Sequence, residues 1–375
     1  MRTWILFLIL CLPSFFFAEI IHSNGPFYEC ENVYFNPHKE ALAFLKDQDN
    51  VARNSLWKPI TMHRFSQKQR VLSKSIKYWD GTTLLLVDSC SGFLTHYFHF
   101  LEHLLGVWQF GGSQDALNVK RIIFCSKEDV KETFPWKGVN QINEKLIKSL
   151  FPNAQVFTLA DVKSQLKQSL HCDKMLISSR FTAYENKACG ALNKMLGASW
   201  QDITPTTMEH LRQTILSSLQ VPLAAETKQP RITYITRHPP RTLSPALENT
   251  LITAIENKVG VKVFKADFAK MPFEEQIRIV ANTDILIGVH GNGLSHIIFL
   301  PPSAMAFELF PPTGFTWDYA LLAKMRDMDY YGHVAGDWVT KIEDPHRSRF
   351  VCHGNLNQPV DALDIEAIVE IIQNR

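Results

Sequence analysis

Residues 284–308 constrain this chain most, because a short β-branched run there meets three closely spaced glycines and then a Pro-Pro stop. Ile285 to Val289 reads as a strand buried on both faces. Gly288, Gly291 and Gly293 punctuate the chain around His290 and Asn292. Leu294 to Leu300 is apolar over one or two helical turns, which Pro301-Pro302 ends. A strand that runs through a glycine-rich turn into a helix start leaves backbone N–H groups without acceptors, and that suits a phosphate or diphosphate. Glycine is needed because a side chain would hold the phosphate off the backbone. Ala304 to Phe310 reads as a further strand, with Glu308 near its C-terminal end. Ligands of open α/β sheets bind beyond such ends, and a carboxylate there can accept both hydroxyls of a ribose. The alternative is an ordinary strand-to-helix turn with a packed or capping His290. The spacing Gly288-x-x-Gly291-x-Gly293 is not the dinucleotide fingerprint, which argues against a dehydrogenase.

The surrounding chain alternates strands and helices. Thr82–Val87, Val119–Cys125, Ala154–Leu159 and Lys174–Ser178 read as strands; Phe93–Phe110, Val139–Leu150 and Thr206–Leu219 read as helices. Residues 220–229 lack periodicity and precede Pro230, so they read as a linker. Beyond it the rhythm restarts. Arg231–Thr236 and Val261–Phe264 are strands, Glu248–Lys258 and Pro272–Ala281 are helices, and Ser244 is an N-cap ahead of Pro245. Such alternation with short loops predicts an α/β fold with parallel sheets covered on both faces. Two domains are expected, over residues 19–225 and 226–375. Residues 19–80 are aromatic-rich, without clean periodicity.

Two further groups carry chemistry. Arg237 and Arg241 leave the end of the Arg231–Thr236 strand on the rim that also holds His290 and Glu308, and a guanidinium fork matches phosphate oxygens. The bland alternative for this pair is two solvated loop arginines. His96, His99, Glu102 and His103 share the aromatic Phe93–Phe110 helix, where spacings of three and four put them on neighbouring surface. They can supply a general base, serve as packing and caps, or bind a metal, although no H-E-x-x-H pattern is present. Asp47-Gln-Asp49 and Asp327-Met-Asp329 match the D-x-D pattern of metal-bound diphosphate sites; both read as solvated turns.

A net charge of +2 without a long basic run argues against nucleic acid as the main partner. Arg2 and the apolar run from Trp4 to Phe17 make residues 1–18 a secretory signal peptide, with an uncleaved signal anchor as the alternative. The expected location is the secretory-pathway lumen or outside the cell, or the periplasm or cell envelope of a bacterium. A membrane enters as partner only through an uncleaved anchor. Of the seven cysteines, Cys11 falls in that segment and six remain, an even number compatible with disulfides, while Cys125 suits a buried thiol equally well.

An ordered set of motifs resembles glycosyltransferase family 61. It comprises Tyr234-Ile-Thr-Arg237 with Arg241, Phe273-Glu-Glu-Gln-Ile277, Asp284-Ile-Leu-Ile-Gly-Val-His-Gly-Asn-Gly-Leu-Ser295, Phe299-Leu-Pro-Pro302, Glu308-Leu-Phe-Pro311 and Asp318-Tyr-Ala-Leu-Leu-Ala323 with Tyr330-Tyr331. Alanine is commoner in the family where this chain has Asn292. The resemblance implies a GT-B architecture, in which two Rossmann-like domains face each other across a cleft. It implies an inverting transferase that uses a nucleotide sugar, commonly UDP-linked, with no bound metal or other cofactor, and a glycan or protein hydroxyl as acceptor. On that pattern Arg237, Arg241, His290, Gly291, Asn292, Gly293, Leu294 and Glu308 bind the donor, and His96, His99, Glu102 or His103 supplies the base. Competing readings are a nucleotide-sugar or glycan-binding protein without turnover, and a secreted structural domain on a Rossmann-like core.

Overall fold

The computed structural model describes residues 19–24, 27–38, 41–44, 61–64, 75–87, 94, 96–110, 118–125, 142–179, 203–225, 227–334, 336–339, 351–352 and 354–375. The signal segment and Asp47-Gln-Asp49 lie outside these residues. The strands are β1 (Glu19–Asn24), β2 (Phe27–Asn36), β3 (Ala41–Phe44), β4 (Thr61–Arg64), β5 (Ile76–Val87), β6 (Val119–Cys125), β7 (Gln155–Thr158), β8 (Ser169–Ser179), β9 (Ile232–Ile235), β10 (Val263–Ala266), β11 (Ile285–Val289), β12 (Met305–Phe310), β13 (Gly314–Phe315), β14 (Asp329–Val334), β15 (Asp337–Trp338) and β16 (Val351–Cys352). The α-helices are α1 (Tyr97–Phe110), α2 (Ile142–Leu150), α3 (Leu159–Gln165), α4 (Pro205–Ser218), α5 (Pro245–Val259), α6 (Phe273–Val280), α7 (Asp318–Met325) and α8 (Ile365–Gln373). A 3-10 segment, Asn292–Phe299, follows β11.

The chain forms two compact units, each an α/β structure on its own sheet. The first holds the order β4-β3-β2-β8-β5-β6-β7, with β1 paired to β2. Strands β8, β5, β6 and β7 run parallel, whereas β2 pairs antiparallel with β8, so this sheet is mixed rather than wholly Rossmann-like. The aromatic stretch 19–80 therefore contains strands that its pattern conceals. In β2 the exposure sequence does not alternate cleanly, and Asn32 sits at a positive φ of 52°. Cys30 and Cys172 are buried free thiols, so the disulfide expectation is corrected at these two positions. Burial pushes the Cys30 thiol far up and the Cys172 thiol up to about 12, which leaves both unreactive near neutral pH.

The second unit holds the order β10-β9-β11-β12-β14-β15, parallel through β14 and antiparallel at β15. In chain order the parallel strands read 2-1-3-4-5, a doubly wound arrangement whose order reverses between β9 and β11. One face buries Tyr234, Ile287, Phe307 and Leu309 against Leu251 and Ile255 of α5 and Ile368 and Ile372 of α8. Helix α5 begins as its sequence requires: Ser244 accepts a hydrogen bond from Leu247 N at 3.2 Å, Pro245 follows, and Gly260 closes the helix at φ 78°.

This unit is not one continuous stretch. Residues 94–113 and 135–152, which carry α1 and α2, belong to it, together with everything from Phe181 onward. A single cut near 225 therefore does not describe the chain. The physical reason lies in the packing around the 3-10 segment. Tyr97 of α1 meets His296 edge-on at 5.3 Å, and Arg212 of α4 donates to Phe299 O at 2.9 Å. Lys145 of α2 pairs with Glu274 of α6 at 2.6 Å.

Candidate active site

Doubly wound sheets bind ligands beyond the strand ends where the order reverses, and the second unit has a cavity of about 470 Å³ there. Its walls come from the loop after β9 (Arg237 to Arg241), the turn after β11 (His290 and Asn292), the start of α7 (Asp318 and Tyr319), and His96 and His99 at the start of α1. Asn357 completes the lining from the C-terminal segment. It accepts a hydrogen bond from Arg241 Nε at 2.9 Å and so fixes one edge of that guanidinium. Sequence reasoning missed Asn357; its only signal is a short polar run before Pro359. Asp318, quoted above as a motif residue, is the carboxylate on this wall.

The glycine turn and Arg237 are mutually fitted. Gly291 has φ 149°, and a Cβ there would lie 1.9 Å from Arg237 Nη1. The guanidinium thus lies directly over the turn, where burial and the charge of Arg241 pull its pKa down. Positive charge crowded into a partly desolvated pocket favours an anion. Gly293 serves packing instead. A Cβ there would meet Ile235 Cγ2 at 3.2 Å, so this glycine lets the 3-10 segment approach β9. Leu294 is 1 % exposed and its N–H bonds Gly291 O at 2.8 Å. The direct donor contact expected of Leu294 is thereby corrected; it packs the turn from behind.

Glu308 is also placed differently from the ribose role. It is 0 % exposed, in the middle of β12, a strand buried at every residue. Its register neighbours are Gly288 on β11 and Gly332 on β14, which clear space on that face of the sheet. One carboxylate oxygen holds His290 Nδ1 at 2.6 Å, and the other accepts the Tyr330 hydroxyl at 2.5 Å. A group this enclosed, with both oxygens engaged, does not reach a ribose. Burial pushes its pKa up, opposed by the bonds from His290 and Tyr330. His290 is 5 % exposed, stacks on Phe310 at 5.5 Å and lines the cavity.

The α1 cluster divides in two. His96 and His99 line the cavity, whereas Glu102 and His103 are buried behind them. Glu102 Oε2 holds His99 Nδ1 at 2.7 Å, and His103 Nδ1 bonds His99 O at 2.8 Å. His96 is exposed on the cavity rim, its ring 4.9 Å from that of His99, and partial desolvation by the cavity walls and this neighbour lower its pKa. Two histidines on one cavity, His99 and His290, are therefore each oriented by a buried carboxylate.

The far end of the 3-10 segment is held by residues that sequence reasoning did not single out. Arg326 Nη1 donates to Ile297 O at 3.0 Å and Ile298 O at 2.6 Å, and Arg212 Nε reaches Phe299 O. Both guanidinium groups pair with Glu209, at 2.8 Å from Arg212 and 3.3 Å from Arg326. Burial and the charge of Arg212 pull Arg326 down to about 10. These cations occupy the carbonyl end of the segment while its N-terminal end opens on the cavity. Asp327 is exposed in the turn after α7 and Asp329 is exposed at the start of β14, and neither lines the cavity.

A family model described as Glycosyltransferase 61 matches residues 92–306, which is 215 of 375 residues. Three relatives carry the name EGF domain-specific O-linked N-acetylglucosamine transferase. The Drosophila melanogaster protein is 30% identical over 158 residues, 42% of this chain and 30% of that protein. The Gallus gallus protein is 43% identical over 85 residues, 22% of this chain and 16% of that protein. The Mus musculus protein is 45% identical over 84 residues, 22% of this chain and 15% of that protein. The matches thus span less than a third of the length of these relatives. A solved heptosyltransferase structure in complex with ADP-D-β-D-heptose aligns over 81% of this chain and 76% of its own, at 12% identity and a TM-score of 0.32, too loose a likeness to carry an argument.

Proposed function

Because the chain belongs to glycosyltransferase family 61, we propose that it moves a sugar from a nucleotide donor, UDP-linked, to a hydroxyl of a glycoprotein or glycan. The observation that carries this reading is the fit of Arg237 over Gly291 at the reversal point of the sheet. Free backbone N–H groups of the turn and the guanidinium groups of Arg237 and Arg241 can together neutralise a diphosphate. They supply the charge that a metal ion would otherwise supply to the leaving group, so transfer needs no metal. His290 lies beside the diphosphate. The acceptor hydroxyl attacks the anomeric carbon from the side opposite the leaving oxygen, and configuration inverts. His99 takes the hydroxyl proton on the nitrogen not held by Glu102, and Glu102 stabilises the imidazolium that forms. His96, on the same rim, positions the acceptor by hydrogen bonding. The names of the relatives make N-acetylglucosamine and a hydroxyl of an EGF domain the first sugar and acceptor to try. The signal-like N-terminus supports a secretory-pathway location for this chemistry.

The test is a mass-spectrometric transfer assay with a panel of UDP-sugars, in EDTA, against an EGF-like domain and simple glycans. One donor should transfer, and His99→Ala should cut turnover by about 10²–10⁴-fold, the usual range for a lost general base. Binding of a UDP-sugar without transfer to any acceptor would contradict the enzymatic reading. Activity abolished by EDTA and restored by a divalent cation would contradict the metal-free one.

A further inference from the structure

We propose that Tyr330, Glu308 and His290 form a buried relay that presents a protonated His290 Nε2 to the leaving phosphate. This rests on the nucleotide-sugar reading above and gives Glu308 a role other than ribose binding. His290 Nδ1 is held at 2.6 Å by one oxygen of Glu308, and Tyr330 occupies the other at 2.5 Å. Nε2 is therefore the nitrogen left for the cavity that His290 lines.

The protonation of that nitrogen follows from burial. With Nε2–H in place and one further proton between Nδ1 and Glu308, the pair is neutral overall, whichever atom carries the shared proton. Removing a proton leaves a net negative charge on a carboxylate that is 0 % exposed, which is costly without water. Burial thus favours the state that carries Nε2–H, whereas the His99 side chain, 29 % exposed against 6 % for His290, keeps its pair in contact with water and its second nitrogen open as an acceptor. The groups that face it are Asp318 and Tyr319 from α7, Arg237 and Arg241 from the loop after β9, and His96 just ahead of α1. Asp318 and an incoming diphosphate favour the protonated pair; the two arginines oppose it. Aromatic neighbours Phe310 and Tyr319 fix the ring plane.

In the transfer step the acceptor oxygen bonds the anomeric carbon as the bond from that carbon to the β-phosphate oxygen breaks. The electron pair stays on the phosphate oxygen, Nε2–H donates a hydrogen bond to it, and the acceptor proton goes to His99. His290 is then a catalytic residue, while Glu308 and Tyr330 are positioning residues. The donor lies on the leaving side because His290 belongs to the turn beneath Arg237, whereas His99 comes from α1.

The experiment is calorimetric titration of the full-length protein with UMP and UDP at pH 7, above the secondary ionisation of phosphate near ~6. The wild type should prefer UDP over UMP, and His290→Gln should lower that preference about tenfold. Glu308→Gln should lower it to the same level while leaving UMP affinity unchanged, because an amide oxygen that accepts Nδ1–H leaves Nε2 without its proton. Thermal midpoints without ligand identify any variant that fails to fold, and Tyr330→Phe, the mildest change, then serves in place of Glu308→Gln with a smaller loss. No preference for UDP in the wild type, or an unchanged preference in His290→Gln or Glu308→Gln, would overturn the relay while leaving nucleotide binding intact. Absence of both UMP and UDP binding to the wild type would overturn the nucleotide reading and the relay together.

Discussion

Gly291 and Arg237 explain each other at the scale of single residues. The turn needs glycine for backbone access, and it needs glycine again because the guanidinium occupies the space a Cβ would take, 1.9 Å away. Gly291→Ala should therefore displace Arg237 and weaken UDP binding by tenfold or more. The positive φ adds strain of about 1–3 kcal/mol. Calorimetry and a urea melt check the two effects separately; unchanged UDP affinity would show that Arg237 does not bind the phosphates. Part of this site was legible in the sequence, since His290 and Asn292 of the glycine turn, the strand-end arginines, and His96 and His99 line one cavity, whereas Glu102 and His103 are buried behind it. Glu308 was legible as a strand-end carboxylate but not as a buried one. Its burial depends on register with Gly288 and Gly332, and pairing between distant strands is not written in local periodicity.

Among the elements, the 3-10 segment Asn292–Phe299 decides how the second unit is assembled. The sequence announces a short helical piece, and it is a 3-10 helix because a glycine-rich turn and Pro301-Pro302 confine it to a few residues. What the sequence hides is its surroundings. His296 is enclosed by Tyr97, Phe268, Phe273 and Phe299 at ring separations of 5.1 to 5.9 Å. Burial there pushes its imidazole down to about 3. The unfolded chain, with an ordinary histidine pKa near ~6.5, binds the proton more readily than the folded one. The stabilising effect of a neutral His296 is thus complete above about pH 6.5 and is lost as pH falls from there toward 3. Each pH unit within that window costs about 1.4 kcal/mol, so stability should drop by about 2 kcal/mol between pH 7 and pH 5. His296→Phe should remove most of this sensitivity. His96, whose pKa is also lowered, contributes loss of the same sign in both proteins and leaves the difference intact. Urea denaturation of both proteins at the two pH values checks it, and equal acid sensitivity would contradict the assignment.

For the molecule as a whole, alternation of strands and helices gave the α/β class, and the doubly wound order 2-1-3-4-5 locates the cavity at its reversal point. The interleaving of the two units was not legible. Composition shifts at 220–229 mark a linker, but α1 and α2 join the second unit through tertiary packing of Tyr97 and Lys145, which no boundary signal records. The consequence is functional, because every residue lining the cavity belongs to this one unit, including both carboxylate-anchored histidines. On the proposed function, this cavity would hold the diphosphate of a nucleotide sugar through Arg237 rather than through a metal. The most direct test is calorimetric titration of UDP, in EDTA, into the wild type and Arg237→Ala, with thermal midpoints measured alongside. Saturating UDP at about a hundred times its dissociation constant should stabilise the wild type by roughly 2.7 kcal/mol. Arg237→Ala should lose that binding and keep its unliganded midpoint. Equal UDP affinity in the two proteins would rule out Arg237 as the diphosphate ligand, and binding that EDTA abolishes would rule out metal-free binding.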